Sequence, residues 1–405
     1  MNENPAPTVI TGLGVVAPTG IGVEEHWESL LAGKSGIARI SRFDPTQYPV
    51  RYAGEVKGFV AHERVPNRLI RQTDHWTHMA LYATELALAD AGANPEEFDE
   101  YEMAVVTSSS SGGTEFGQHE MDKLYNNGPA WVGAYQSIAW FYAATTGQLS
   151  IRHGMRGPCG VVCAEQAGGI DAIGKSRRLI RNGTRLVITG GLDASLCPYG
   201  LVAQLPPGRL STVDDPEMAF RPFDAEASGH LPGEGGAILI AEVAAARNED
   251  RRWGVIAGYA AGFDPAPQDN GPRVVTSVLS RALSDAGLAP SDVDVVFADA
   301  AGVPSEDLAE AQAISAVFGA YAVPVTAPKT MTGRLYGGGS SLDVATALLA
   351  LRHGIVPPTT GTVRPAADYE IDLVVDEPRA LPLRHAMVLA RGYGGYVSAL
   401  VLSAP

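Results

Sequence analysis

Short apolar segments alternate along the chain with longer segments that have the periodicity of helices. Residues 9–12 predict a short strand that enters a glycine turn, and residues 103–107 predict a buried strand followed by the small-residue loop 107–113. Between them, residues 77–91 carry apolar side chains at helical spacing and are followed by Gly92, a common helix terminator. The alternation predicts an α/β fold whose sheets are covered by helices.

The same alternation continues further along the chain. Residues 166–181 predict a helix closed by the Asn-Gly pair 182–183, and residues 185–189 predict a strand followed by the Gly-Gly pair 190–191.

The chain also contains a weak internal repeat. Residues 88–95 (LADAGANP) match residues 283–290 (LSDAGLAP), and the helix end at 181–183 (RNG) is echoed at 352–354 (RHG). Helix ends share common signals, so each match alone allows coincidence. Two matches in the same order favour a duplicated α/β fold.

The repeat divides the chain into two halves. We expect an N-terminal half at residues 1–248 and a C-terminal half at 249–405, joined near the polar, charged residues 244–253.

Composition narrows the functional classes. The 405 residues are 45% apolar, which is enough for a large core, and the net charge is −15. A strongly acidic chain is poorly suited to nucleic-acid backbones or anionic lipid, because both attract clustered cations. We expect neither as a partner.

Cysteine content and the lack of targeting signals indicate the compartment. The cysteines, Cys159, Cys163 and Cys197, are too few for a disulfide framework and lack zinc-site spacing. Residues 1–7 lack a signal-peptide pattern, and no apolar run approaches the ~20 residues of a membrane span. We therefore expect a soluble cytoplasmic protein.

Residues 157–174 form the segment that points most clearly to chemistry. A strand runs into a sharp turn and a helix begins with small residues, so the side chain at this elbow should be exposed beside free N–H groups. In acyl-transfer enzymes this position suits a cysteine, because a helix N-terminus lowers the thiol pKa. Here the elbow carries Gln166.

With this segment, the sequence resembles the β-ketoacyl synthases of the thiolase superfamily and, within them, the chain-length factors of type II polyketide synthases. The run at 164–169 (AEQAGG) is characteristic of that branch. Matching segments span essentially the whole chain, at residues 9–20, 27–36, 43–44, 53–56, 220–224, 233–236, 329–339 and 392–395. The resemblance implies a thiolase-like fold, with two duplicated βα halves in a layered αβαβα arrangement.

The resemblance also shows which catalytic residues are missing. Active ketosynthases of this family use a cysteine and two histidines; these positions hold Gln166, Asp299 and Arg334 here, and only Lys329 of the usual set remains. An amide forms no thioester, arginine is not a base, and an ionised aspartate would repel an enolate. We expect no condensation at this elbow, and we expect Asp299 and Arg334 to pair.

Two cysteines lie near the elbow. Cys163 and Cys159 precede Gln166 but do not stand at the helix start, and we expect both to be small buried core residues.

The resemblance implies a partner that supplies the chemistry. A catalytic ketosynthase alpha subunit would form a heterodimer with this chain, with acyltransferase activity only in that complex. The substrate would arrive on the phosphopantetheine of acyl carrier protein, and the chain would hold no cofactor or metal of its own. Residues 161–162 and 138–142 would take part in a large apolar interface.

Residues 113–144 are the candidate gate of the substrate channel. Residues 116–125 predict a short helix. Thr114, Gly117 and Met121 stand at positions i, i+3 and i+7, which form one helical face, and Ile138 follows in the next segment. In similar chain-length factors these positions end the channel, and bulky aromatics there accompany shorter products. The small or flexible residues here predict a decaketide or longer product; the alternative is that this face is ordinary core.

Two other functions stay open from the sequence. One is malonyl carrier protein decarboxylation through Gln166, as in loading ketosynthases with glutamine at the elbow, although those keep both histidines. The other is a purely structural partner that stabilises its ketosynthase without measuring length.

Overall fold

The computed structural model describes residues 6–244, 252–267 and 271–405. Its strands are β1 Thr8–Ala17, β2 Gly20–Ile21, β3 Ile37–Arg39, β4 Tyr52–Gly54, β5 Met103–Ser108, β6 Cys159–Val162, β7 Leu186–Asp193, β8 Gly235–Val243, β9 Gly254–Phe263, β10 Val295–Phe297, β11 Pro324–Thr326, β12 Ile355–Val356, β13 Asp372–Leu373, β14 Arg379–Ala380, β15 His385–Gly392 and β16 Tyr396–Ser403. Its α-helices are α1 Val23–Leu31, α2 Ala61–Arg64, α3 Asn67–Gln72, α4 His75–Ala91, α5 Thr114–Asn127, α6 Gln136–Ala139, α7 Ala144–Arg152, α8 Gly168–Arg181, α9 Pro198–Ala203, α10 Arg273–Ala286, α11 Pro304–Phe318 and α12 Gly339–His353.

The two halves of the chain build the same sheet twice. The strand order is β6-β5-β7-β8-β1 in the first half and β11-β10-β15-β16-β9 in the second. In each half the first three strands are parallel and the last two are added antiparallel. Antiparallel pairing of Val9 with Val255 and Ile10 with Gly254 joins the halves. The predicted duplication is confirmed.

Three apolar clusters separate the layers. The central cluster contains Ile170 and Ile173 of α8 and Leu348 of α12, together with strand residues from both halves. A second cluster packs α4 against the first sheet, and a third packs α10 and α11 against the second sheet. This gives the expected αβαβα order, with α8 and α12 as the buried middle layer.

The glycine turn expected at the end of residues 9–12 is wrong, because the strand continues through it. β1 runs on through Gly12 and Gly14, where the backbone of α4 lies so close that a Cβ at Gly14 would stand 1.8 Å from the carbonyl oxygen of Ala83. β7 likewise runs through Gly190 and Gly191. These glycines allow close packing of backbone rather than chain reversal.

The predicted helix ends agree better with the structure. Gly92 ends α4 and Gly287 ends α10, both with left-handed backbone, so the sequence repeat marks equivalent helix ends. The predicted join lies partly at residues 245–251, outside the described residues. Among the described helices, none combines the length and the apolar character that a membrane crossing requires.

Candidate functional site

The elbow of the site is a strained turn between β6 and α8. Glu165 has a left-handed backbone with φ of 50°, one 3-10 turn covers Glu165–Ala167, and α8 begins only at Gly168. The helix therefore starts two residues later than predicted, because the elbow takes up the first turn.

Gln166 is buried, which contradicts the expected exposed side chain. It has no exposed surface, and neither its amide nitrogen nor its amide oxygen has a hydrogen-bond partner among the residues that the structure describes. The start of α12 covers the amide: a Cβ at Gly339 would lie 2.2 Å from Gln166 Nε2. The amide therefore occupies space that only a glycine at position 339 leaves open.

The two substituted histidine positions meet in a buried ion pair, as expected. Arg334 Nη2 lies 3.1 Å from Asp299 Oδ1 and Nη1 lies 3.3 Å from Oδ2, and neither side chain is exposed. Arg391 adds a second guanidinium, with Nε 3.3 Å from Asp299 Oδ2 and Nη2 2.8 Å from Glu310 Oε2. The sequence pointed to neither Arg391 nor Glu310, although Arg391 directly precedes the Gly-Tyr-Gly-Gly motif at residues 392–395.

The charges of this cluster are held in place. Burial alone would raise the pKa of Asp299, but Arg334, Arg391 and Lys329 together hold it well below its ordinary value. Burial opposes the charge of Arg334, yet the carboxylate of Asp299 raises its pKa above its ordinary value. Asp299 is thus an anion and Arg334 a cation over the whole physiological range, so neither transfers protons.

Lys329 ties the cluster to two elements. Its Nζ donates to the carbonyl oxygen of Ala298 at 2.8 Å and forms an ion pair with Asp343 Oδ2 of α12 at 2.8 Å. The ammonium group is thus committed to structural contacts at the end of β10 and the start of α12.

The cysteines near the elbow are placed differently from the expectation. Cys159 and Cys163 are exposed rather than core residues, because β6 is the last strand of its sheet and has one open edge. Burial of part of each side chain raises the pKa of both thiols, so neither is activated as a nucleophile. Cys197 is buried, and its Sγ accepts the Gly200 N–H at the start of α9.

The gate residues lie on and beside α5, which is longer than the predicted helix. Thr114 lines a cavity of about 430 Å³ that also reaches Glu165, Arg209 and Tyr393. Gly117 is buried against α6, where an added Cβ would be 3.7 Å from Gln136 Nε2. Thr114 therefore contacts the cavity, whereas Gly117 contacts α6.

The other two gate residues lie further out. Met121 is half-buried, and the side chain of Ile138 on α6 is 43% exposed, so the proposal that this face is ordinary core does not hold for Ile138.

Around the gate, residues 125–142 expose several large apolar side chains, most of them aromatic. We call this group the aromatic face, and it consists of Tyr125, Trp131, Tyr135, Ile138, Trp140, Phe141 and Tyr142. Large exposed apolar surfaces of this kind mark sites of protein association.

Comparison with known proteins identifies the family. Residues 6–246 match the β-ketoacyl synthase N-terminal domain and residues 253–362 match the β-ketoacyl synthase C-terminal domain. The chain is 58% identical over 402 residues to the tetracenomycin polyketide synthase ketoacyl synthase beta subunit of Streptomyces glaucescens, covering 98% of each chain. It is 31% identical over 398 residues to the 3-oxoacyl-[acyl-carrier-protein] synthase 2 of Synechocystis, covering 96% of this chain and 95% of that protein.

Solved structures agree. The ishigamide ketosynthase/chain length factor superposes with a TM-score of 0.90 at 26% identity, over 99% of this chain and 100% of that one. A β-ketoacyl synthase from Burkholderia phymatum superposes with a TM-score of 0.89 at 25% identity over the same shares. The chain belongs to the β-ketoacyl synthase family. Within it, the chain is of the ketosynthase beta type, the chain-length factors of type II polyketide synthases.

Proposed function

We propose that this chain is the non-nucleophilic chain-length-factor subunit of a heterodimeric type II polyketide synthase. The partner, a ketosynthase alpha subunit, carries out the decarboxylative Claisen condensation of malonyl units held on acyl carrier protein. This chain shapes the far end of the shared channel and thereby sets the length of the poly-β-ketone. The observation that carries the proposal is the elbow, where a buried amide replaces the nucleophile and a locked ion pair replaces both bases.

The aromatic face supports a permanent partner. Its side chains would be costly to leave in water, since burying a large side chain contributes about 1.5–3 kcal/mol. β6 is the last of the described strands of its sheet, so its outer edge offers backbone groups that a second subunit would pair with. Both features include residues that the sequence assigned to the interface.

Acyl carrier protein docks on the partner in this proposal. The chain carries 45 acidic and 30 basic residues, and an acidic carrier would be repelled by such a surface. The substrate reaches this chain through the channel, carried on phosphopantetheine, and the chain contributes no cofactor.

The gate supports a long product. Thr114 lines the cavity and Gly117 has no side chain where it packs against α6, so neither position fills space as an aromatic ring would. We propose a decaketide or longer chain on that basis.

Reconstitution tests the function directly. The ketosynthase alpha subunit, acyl carrier protein and this chain are combined with malonyl units, and the released polyketides are weighed by mass spectrometry. This chain is then replaced by a chain-length factor whose gate carries aromatic residues. A shift to shorter products supports the proposal, while unchanged length leaves this chain a purely structural partner.

A second function, malonyl decarboxylation through Gln166, has one feature in its favour: the buried amide has two unused hydrogen-bonding atoms. The Asp299–Arg334 pair stands against it, because Asp299 is an anion and the guanidinium of Arg334 is already engaged by that carboxylate. Release of carbon dioxide from malonyl carrier protein by the isolated chain would establish this function.

We also propose a cytoplasmic location. The cysteines are all free thiols, and thiols persist in reducing compartments.

A further inference from the structure

The Glu165 carboxylate accepts hydrogen bonds from two backbone N–H groups, one from the next residue and one from a distant part of the chain. Its Oε2 accepts the N–H of Gln166 at 2.7 Å and the N–H of Tyr393 at 3.0 Å. The first donor belongs to the elbow, and the second belongs to the turn between β15 and β16, which is 228 residues away from Glu165. The left-handed backbone at Glu165 folds the side chain back onto these donors.

Two backbone N–H groups that converge on one oxygen at 2.7–3.1 Å have the geometry of an oxyanion hole. In acyl-transfer enzymes one of the two donors is commonly the N–H of the nucleophile residue itself. Gln166 stands at the nucleophile position here. The donors of an oxyanion hole are therefore present in this chain, and an oxygen of the chain already fills the space between them.

Neighbouring charge favours this arrangement. Burial opposes the charge of Arg334, and the carboxylates of Asp299 and Glu165 both raise its pKa. The arginine that replaces a catalytic histidine is thus also a counter-charge for the Glu165 carboxylate. Glu165 lines the cavity that Thr114 and Tyr393 share, so a carbonyl group entering from that cavity would meet a carboxylate instead of two donors.

We propose that the Glu165 carboxylate is a built-in occupant of this subunit's own oxyanion hole and that it keeps acyl groups from reacting at the elbow, whatever residue stands at position 166. The proposal rests on the geometry of this chain and goes beyond the chain-length role. It implies that two features prevent acyl chemistry in this subunit: the elbow has no nucleophile, and the Glu165 carboxylate occupies the oxyanion hole.

The test introduces a thiol at position 166 and then removes the Glu165 carboxylate from the oxyanion hole. Gln166→Cys is prepared alone and together with Glu165→Gly or Glu165→Gln, in the heterodimer with a partner whose own catalytic cysteine is replaced by alanine. Glycine suits the left-handed backbone at position 165 and removes the carboxylate without strain. Glutamine keeps an oxygen that reaches both donors but removes the charge.

Two reagents separate the oxyanion hole from thiol reactivity. 4-Nitrophenyl acetate acylates: the thiolate attacks the carbonyl carbon, a C–S bond forms, and 4-nitrophenolate leaves. Iodoacetamide alkylates by displacing iodide and develops no oxyanion. Both rates depend on the fraction of thiolate, so the ratio of acylation to alkylation at position 166 depends on the oxyanion hole alone. Peptide mapping by mass spectrometry measures both modifications, and the exposed Cys159 serves as an internal control.

We expect the ratio of acylation to alkylation at position 166 to rise at least ~10-fold with Glu165→Gly, since one oxyanion-hole donor is worth roughly 10²–10³ in rate. With Glu165→Gln, the ratio at position 166 should stay near the value of Gln166→Cys alone. The same ratio at Cys159 should not change in any variant. A ratio unchanged within about twofold in the glycine variant overturns the proposal. A rise of equal size with glutamine overturns it as well, because charge rather than occupancy would then be the cause.

A second measurement needs no introduced thiol. Amide hydrogen exchange of the otherwise native heterodimer should be faster at Gln166 and Tyr393 with Glu165→Gly, and near native with Glu165→Gln. Unchanged exchange at both amides would mean that Glu165 does not occupy the hole. Neither measurement depends on product length. Failure of the chain-length proposal would therefore leave the Glu165 proposal standing, and failure of the Glu165 proposal would leave the chain-length proposal standing.

Discussion

Asp299 and Arg334 face each other in a fully buried pair, with Arg334 Nη2 3.1 Å from Asp299 Oδ1. The resemblance to active ketosynthases implies that histidines stand at these two positions there. Two fixed, opposite charges supply no acid–base chemistry, and they form a contact that the fold depends on.

Breaking this pair should cost far more than breaking a surface pair. Arg334→Met leaves a buried carboxylate with fewer partners, and we expect the free energy of unfolding to fall by about 3–5 kcal/mol. Arg379→Met, which breaks the half-exposed pair with Asp372, should cost only about 0–1 kcal/mol. Denaturant unfolding of both variants measures this difference; equal losses would contradict the assigned importance of the buried pair.

Gly339 should be required by the Gln166 amide. Gly339→Ala puts a methyl group against Gln166 Nε2, and we expect a loss of about 1–3 kcal/mol from overpacking. Gly147→Ala is the matched control, because a Cβ there meets nothing within 4 Å and alanine favours the helix. Adding Gln166→Ala should restore most of the stability of Gly339→Ala. Lack of rescue would show that the cost arises elsewhere.

The gate assignment predicts a change in product length. Gly117→Phe places a ring between α5 and α6, and Thr114→Phe places one in the cavity, so we expect each to shorten the polyketide by one or more units. Gly117→Ala is the control, since its Cβ would fit 3.7 Å from the nearest atom and leave the channel open. Mass spectrometry of the products decides, and unchanged length with both phenylalanine variants would remove these residues from the gate.

The aromatic face predicts where the partner binds. Trp131→Glu replaces a 64% exposed ring by a charge, and a central interface residue of this kind contributes about 2–4 kcal/mol to binding. Tyr321→Glu changes a similarly exposed ring in the other half of the chain and should leave the affinity unchanged. Titration of each variant with the ketosynthase alpha subunit measures the difference. Equal weakening by both would argue against a localised face.

A buried carboxyl at the base of the gate helix predicts a pH effect. Asp74 accepts the N–H of Phe116 near the start of α5, and burial raises its pKa to about 7, against an unfolded value of 3.8. The folded chain therefore keeps a proton that the unfolded chain releases. This contribution to stability is complete below the unfolded value and is lost as the pH rises through about 7.

Glu234, whose pKa burial also raises to about 7, acts in the same direction. The midpoint of thermal unfolding should therefore fall between about pH 4 and pH 7 and level off above pH 7, and Asp74→Asn should flatten that slope. The low pKa of Asp299 has the opposite sign and acts only at more acidic pH. Scanning fluorimetry across this range provides the check, and an unchanged slope in the variant would assign the effect to other groups.

Much of the site could be inferred from residue identity alone. Gln166, Asp299 and Arg334 exclude condensation because of what amide, carboxylate and guanidinium groups are, wherever they lie. Helix ends at Gly92 and Gly287 were also predictable, because local backbone preferences decide them. The duplicated fold followed from the order in which such local signals recur.

Only the tertiary structure decided the rest. Cys159 is exposed because β6 has no further neighbour among the described strands of its sheet. Gly14 lies within a strand because β1 pairs with β8, and the close approach of α4 leaves no space for a side chain there. The Arg391 guanidinium on Asp299 and the Tyr393 N–H on Glu165 both come from distant parts of the chain, and the second contact spans 228 residues. The sequence determined which chemical groups were available, whereas long-range packing determined which of them meet, because such contacts depend on how separate elements assemble and not on the preferences of any one segment.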